Sequence, residues 1–140
     1  MNIIETGIEG LFVVEPRIFA DQRGYFFESF SEKEFRKATG VDIEFVQDNE
    51  SMSTYGVLRG LHYQKGEWSQ AKLVRVIKGA VFDVAVDLRA NSATYGKWYG
   101  VELSEENKKQ LATFRPAVSI GNYYQIQVEL ENGVPTRFVI

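Results

Sequence analysis

The strongest pattern in the chain is an alternation. In Val81-Phe82-Asp83-Val84-Ala85-Val86-Asp87-Leu88, the residues Phe82, Val84, Val86 and Leu88 share one parity and Asp83 and Asp87 the other. This predicts a half-buried strand with its aspartates turned outward. Lys72-Leu73-Val74-Arg75-Val76-Ile77 alternates as well. The intervening Lys78-Gly79 offers a residue that tolerates positive φ, so the two runs read as an antiparallel hairpin. Further strands are expected at 10–15, 24–30, 43–48, 57–63, 97–103 and 122–130, each rich in β-branched and aromatic residues and bounded by Gly, Asn, Asp or Ser.

One segment breaks the β pattern. Ser31-Glu32-Lys33-Glu34-Phe35-Arg36-Lys37-Ala38-Thr39-Gly40 begins with a residue able to cap free helix N–H groups and places Glu34 three positions later. It ends on a glycine suited to the left-handed C′ position, so a short helix near 31–40 is expected. Ser104-Glu105-Glu106-Asn107 starts in the same way, but no apolar periodicity follows Lys108 and Lys109, so only a turn is expected there. The fold class is therefore all-β: an antiparallel β-sandwich or jelly roll with one helix.

Length and composition narrow the picture. With 140 residues and no Pro/Ser-rich linker or internal repeat, residues 1–140 are expected to form a single domain. A net charge of -3 gives no general electrostatic reason to bind nucleic acid or an anionic membrane. Without cysteine, the chain has no disulfide framework, thiolate metal site or cysteine nucleophile. With only His62, the usual multi-histidine metal sites have no ligands, so neither metal nor cofactor is expected. The segment from Met1 to Phe19 has no basic n-region, and its longest apolar run is Leu11 to Val14, so neither a signal peptide nor a membrane span is expected, and the location is read as cytoplasmic.

Four clusters place polar residues inside apolar strand sequences. They are Asp21–Glu28, Phe45–Asn49, Val57–Gln64 and Ala71–Val76. Taken singly, an arginine or lysine on a strand is ordinarily a solvated side chain, and a lone histidine ordinarily makes a structural hydrogen bond. Taken together and in order, the clusters resemble a known family. Phe45-Val46-Gln47-Asp48-Asn49, Val57-Leu58-Arg59-Gly60-Leu61-His62-Tyr63-Gln64, Lys72-Leu73-Val74-Arg75-Val76, the run from Gly79 to Arg89, and Ser92-Ala93-Thr94-Tyr95-Gly96-Lys97-Trp98 resemble the dTDP-4-dehydrorhamnose 3,5-epimerases over about residues 1–111.

The resemblance implies a cupin-like jelly roll that is metal-free, acts as a homodimer, and takes a dTDP-linked 4-keto-6-deoxy sugar. Epimerisation beside a ketone needs a base, a group to hold the enolate oxygen, and an acid on the opposite face. By resemblance His62 is the base and Lys72 supports the enolate and contacts substrate. Arg23 and Arg59 match positions at the nucleotide diphosphate, and Glu28, Gln47, Asp48 and Asn49 match positions that bind the nucleotide and sugar hydroxyls. Arg59 and His62 have opposite strand parity, so both reach one ligand only if Gly60 marks a bend or bulge, or if the ligand crosses a strand end. Lys72 ends an inward row with Val74 and Val76, which suits the mouth of a barrel.

After Leu111 the sequence departs from that family. Ser119 stands where the family carries a histidine and Asn132 where it carries the tyrosine that donates a proton. The 112–140 tail still alternates at 122–130, and Glu131-Asn132-Gly133 reads as a turn into 136–140. Two other readings follow: a catalytically silent module that keeps nucleotide-sugar binding or dimerisation, and a related 3,4-ketoisomerase.

Overall fold

A computed structural model describes residues 1–64 and 66–114, together with the backbone of the strands at 123–128, 130–131 and 134–135. In chain order the elements are β1 (Asn2–Glu5), β2 (Leu11–Glu15), β3 (Ile18–Asp21), β4 (Gly24–Phe27), α1 (Glu32–Thr39), β5 (Leu58–His62), β6 (Lys72–Arg75), β7 (Ala80–Asp87), β8 (Trp98–Ser104), β9 (Gln110–Thr113), β10 (Tyr123–Val128), β11 (Leu130–Glu131) and β12 (Val134–Pro135). Two antiparallel four-stranded sheets have the orders β1-β2-β9-β6 and β5-β10-β7-β8, and β3-β4 and β11-β12 form two-stranded ribbons. This is the expected β-sandwich with a single α-helix among the described residues.

The sandwich core joins the two sheets. Leu11 and Val13 of β2 and Leu111 of β9 pack with Ala85 of β7 and Leu103 of β8. Leu11, Leu103, Leu111 and Ala85 are fully buried, and burial of each leucine contributes about 1.5–3 kcal/mol. The other face of the first sheet is also covered: Val14 and Ala112 pack under Phe35 of α1, with Phe114 beside them. With both faces covered, β2 is a nearly continuous apolar run, Leu-Phe-Val-Val, rather than an alternating one.

The helix follows its capping signals. Ser31 has extended backbone, and its Oγ accepts from the Glu34 N–H. Gly40 sits in the left-handed region, and its N–H donates to the Arg36 carbonyl. At the Ser104 turn, Asn107 Oδ1 accepts from the Ser104 N–H and Ser104 Oγ from the Asn107 N–H, and no helix follows.

Three expectations are corrected. The runs at 72–77 and 80–87 do not pair as a hairpin: β6 pairs with β9, whereas β7 pairs with β8 and β10. Lys78-Gly79 instead turns the chain from one sheet to the other, with Gly79 at φ +80° and its N–H donating to Glu105. Asp83 and Asp87 are fully buried rather than outward. Their side of β7 is the sandwich interior, and the Phe82, Val84 and Val86 side packs with Leu58 and Leu61. Residues 43–48 form no strand, because Ile43 and Phe45 pack as loop side chains against the α1 layer. Strands β1, β3, β9 and β12 add to the expected set. In the tail, β10 supplies the predicted 122–130 strand and lies between β5 and β7. The positions Ser119 and Asn132, and the run 136–140, lie outside the described residues.

Candidate active site

β6 is an edge strand of the first sheet and β5 an edge strand of the second. Both strands contribute to a cavity of about 640 Å³, to which Arg59, His62 and Lys72 belong together with Gln47, Asp48 and Asn49. This volume falls within the usual range of small-ligand sites.

The register explains how Arg59 and His62 reach the same space. On β10, position 127 pairs with Arg59 and position 125 with His62, so two steps along β10 face three along β5. The extra residue is a β-bulge at Gly60-Leu61, where Gly60 has φ +116°. Residues two apart on β10 share a face, so their partners Arg59 and His62 share it too. The same row continues across β7 at Asp83 and Ala85, the latter in the sandwich core. Lys72 arrives from the other sheet. It pairs with Thr113, which also pairs with Leu11, while Val74 pairs with Leu111. Lys72 therefore ends an inward-facing row whose other members, Val74 and Val76, pack on the core.

The remaining wall comes from the irregular segment between α1 and β5. Within it, Gln47 Nε2 donates to Asn49 Oδ1 at 3.2 Å. Arg59 is tied to the same segment: Nε donates to Ser53 Oγ at 2.9 Å and Nη2 to the Met52 carbonyl at 2.8 Å. Ser51, Ser69 and Gln70 also line the cavity. They were not singled out from the sequence because short polar residues in loops carry no periodic signal.

Arg23 and Glu28 are not in this wall. Arg23 lies in the β3-β4 turn with an 89% exposed side chain, paired with Asp21 at 2.6 Å. That pairing lowers the Asp21 pKa and raises that of Arg23. Glu28 follows β4 on the same exposed ribbon, which also shows Ile18, Phe19, Tyr25 and Phe26 to solvent. The ribbon is tied near its turn, where Lys108 Nζ lies 2.9 Å from the Tyr25 hydroxyl and 4.5 Å from its ring centroid.

A second polar cluster lies at the β7-β8 connection. The Asp87 carboxylate accepts from the Arg89 N–H, Nε and Nη2, and from the Ser92 and Thr94 hydroxyls. Burial alone would raise its pKa, but the donors from Arg89, Ser92 and Thr94 outweigh it and hold the group well below the usual carboxylate range. Arg89 is 3% exposed, and neither member of the pair lines the cavity. Among the described residues, no group of three His, Cys, Asp or Glu side chains is placed to hold a metal, and no helix is long and apolar enough to cross a membrane.

Residues 5–116 match the model of the family described as dTDP-4-dehydrorhamnose 3,5-epimerase. A curated relative of that name from Shigella flexneri is 59% identical over 111 residues, covering 79% of this chain and 61% of its own length. The chain thus spans about three fifths of that relative. Among solved structures, the dTDP-4-dehydrorhamnose 3,5-epimerase of Elizabethkingia anophelis superposes with a TM-score of 0.78 at 48% identity, covering 91% of this chain and 73% of that one. A Legionella pneumophila dTDP-6-deoxy-D-glucose-3,5-epimerase, solved in complex with dTDP-4-keto-L-rhamnose, gives 0.77 at 45% identity over 90% of this chain and 70% of that one.

Proposed function

Because the chain belongs to the dTDP-4-dehydrorhamnose 3,5-epimerase family, we propose that its cavity binds a dTDP-linked 4-keto-6-deoxy sugar and inverts C3 and C5 by removing the protons beside the C4 ketone. The observation that carries this reading is the Gly60 bulge, which brings His62 and Arg59 to one face opposite the inward Lys72. An imidazole nitrogen accepts a proton in its neutral form and donates it once protonated, so His62 can take a proton and return it. The Lys72 ammonium stabilises charge as it develops on the ketone oxygen, which lowers the barrier to proton removal. Arg59 meets the diphosphate with its planar fork, and Gln47, Asp48 and Asn49 hydrogen-bond to nucleotide and sugar. The acid that completes inversion would come from the 112–140 tail. No metal or cofactor is required for this chemistry, and the protein acts in the cytoplasm as one jelly-roll domain.

The site is completed in this reading by a second copy of the chain. Arg23 and Glu28 lie away from the cavity wall, on a ribbon whose Phe26 is 69% exposed and whose Phe19 is 51% exposed. A homodimer would bury these rings and deliver Arg23 to the partner's diphosphate site. The substitution Phe26→Asp is expected to shift the chain from dimer to monomer in sedimentation and to weaken dTDP binding; a monomeric parent chain with undiminished affinity would contradict the arrangement.

Ligand entry has a direct reporter, since His62 is the only histidine in the chain. Titrating dTDP is expected to shift the imidazole resonances in a long-range 1H–15N spectrum, saturably and in the micromolar to millimolar range. No shift at millimolar dTDP would remove the nucleotide-sugar reading. A second reading, a binding module without turnover, is favoured by one observation: Ser119 and Asn132 stand where the family resemblance implies a histidine and a proton-donating tyrosine. Saturable shifts without any proton exchange at the sugar would select it.

A further inference from the structure

The cavity's arginine is held before any ligand arrives. A guanidinium has five N–H donors, and its Nε/Nη2 side edge and its Nη1/Nη2 end can each meet an oxyanion as a fork. In Arg59 the side edge is taken by Ser53 Oγ at 2.9 Å and the Met52 carbonyl at 2.8 Å. These bonds leave both Nη1 donors and one Nη2 donor without a partner among the described residues. Ser53 is half-buried and Arg59 is exposed, so the contact holds a side chain that solvent would otherwise leave free to sample rotamers.

We propose that Ser53 is a positioning residue: with the Met52 carbonyl it grips the side edge of Arg59, so that the end of the fork is presented to a diphosphate in the cavity. This rests on the nucleotide-sugar reading above. Fixing the side chain in advance removes rotamer entropy that a free arginine would lose on binding, so the benefit appears as affinity for the anionic part of the ligand alone. The Met52 contact uses backbone and cannot be deleted by a side-chain change, which leaves Ser53 as the testable half.

The experiment is calorimetric titration of dTDP and of thymidine into the unaltered chain and into Ser53→Ala, Ser53→Thr, Arg59→Ala and the Ser53→Ala/Arg59→Ala double variant. Ser53→Ala is expected to weaken dTDP about tenfold, the scale of one hydrogen bond to a charged group, while thymidine binding stays unchanged. Ser53→Thr keeps the hydroxyl and restores the affinity, and in the Arg59→Ala background the loss of Ser53 adds nothing. Equal weakening of dTDP and thymidine would mean that Ser53 only shapes the loop, and additive losses would mean that it acts apart from Arg59; either overturns the proposal. If the unaltered chain binds no dTDP, or Arg59→Ala binds it fully, the parent reading fails and this proposal falls with it.

Discussion

Under the proposed function, replacing His62 with alanine is expected to lower epimerisation of a dTDP-4-keto-6-deoxy sugar by about 10²–10⁴-fold, the range supplied by one positioned general base, with little change in dTDP affinity. The split follows from the site's layout. His62 and Arg59 share a face because of the bulge, but the proposed function gives them different parts of the ligand, so removing the imidazole is expected to take away proton transfer and leave the diphosphate contact. Steady-state rates with a fixed product assay, alongside calorimetric dTDP titration, measure both. Lys72→Gln should also lower turnover more than affinity, because its charge matters most when negative charge develops on the ketone oxygen. A His62→Ala variant with unchanged turnover would show that another group removes the protons.

The second large effect concerns stability. Asp87→Ala is expected to cost about 3–5 kcal/mol, because it removes the buried carboxylate that pairs with the Arg89 guanidinium at 2.7 Å and leaves it the exposed Glu9 carboxylate at 3.8 Å. It also strips the Ser92 and Thr94 hydroxyls of their acceptor. The consequence for pH has a definite sign. Asp87 is held below its ordinary pKa in the folded chain, so its stabilising contribution is complete above the unfolded value of about 3.9 and declines as pH falls below that. Urea midpoints at pH 7 give the first number, and melting temperatures between pH 5 and 2 give the second. Asp87→Asn should lose stability at pH 7 and show a shallower fall in acid than the parent chain. A cost under about 1 kcal/mol for Asp87→Ala would mean that the β7-β8 connection is held by something else.

How much of this was legible in the sequence depended on whether a segment's surroundings were local. The helix was, because Ser31, Glu34 and Gly40 act on neighbouring backbone groups. The alternation of β7 was legible as a strand but misleading about its sides. Phe82 and Val84 mark one apolar face, and nothing local shows that Asp83 and Asp87 sit within a second buried layer with Ala85. The false hairpin has the same origin: Lys78-Gly79 permits a tight turn, but whether β6 returns beside β7 or crosses to β9 is settled by long-range packing.

The site was read residue by residue from resemblance, and one physical condition was visible in advance. Arg59 and His62 required an irregularity at Gly60, and the register shift lies there. The cavity gathers His62, Lys72, Arg59, Gln47, Asp48 and Asn49. Arg23 and Glu28 stay apart on the β3-β4 ribbon, a placement set by long-range packing that leaves no periodic trace in the sequence. The 43–48 segment shows the converse. Its aromatic and β-branched residues resemble a strand, but they serve as loop anchors beside the cavity, packed without a pairing partner.

The most direct test of the central claim is solvent exchange. The unaltered chain is mixed with dTDP-4-keto-6-deoxyglucose in deuterated water, and the C3 and C5 proton signals are followed by NMR. Deuterium entering at both carbons, with inverted product, is the predicted result. No deuterium at either carbon, under conditions where the sugar nucleotide shifts the His62 imidazole, would show that this cavity binds the substrate without performing the chemistry.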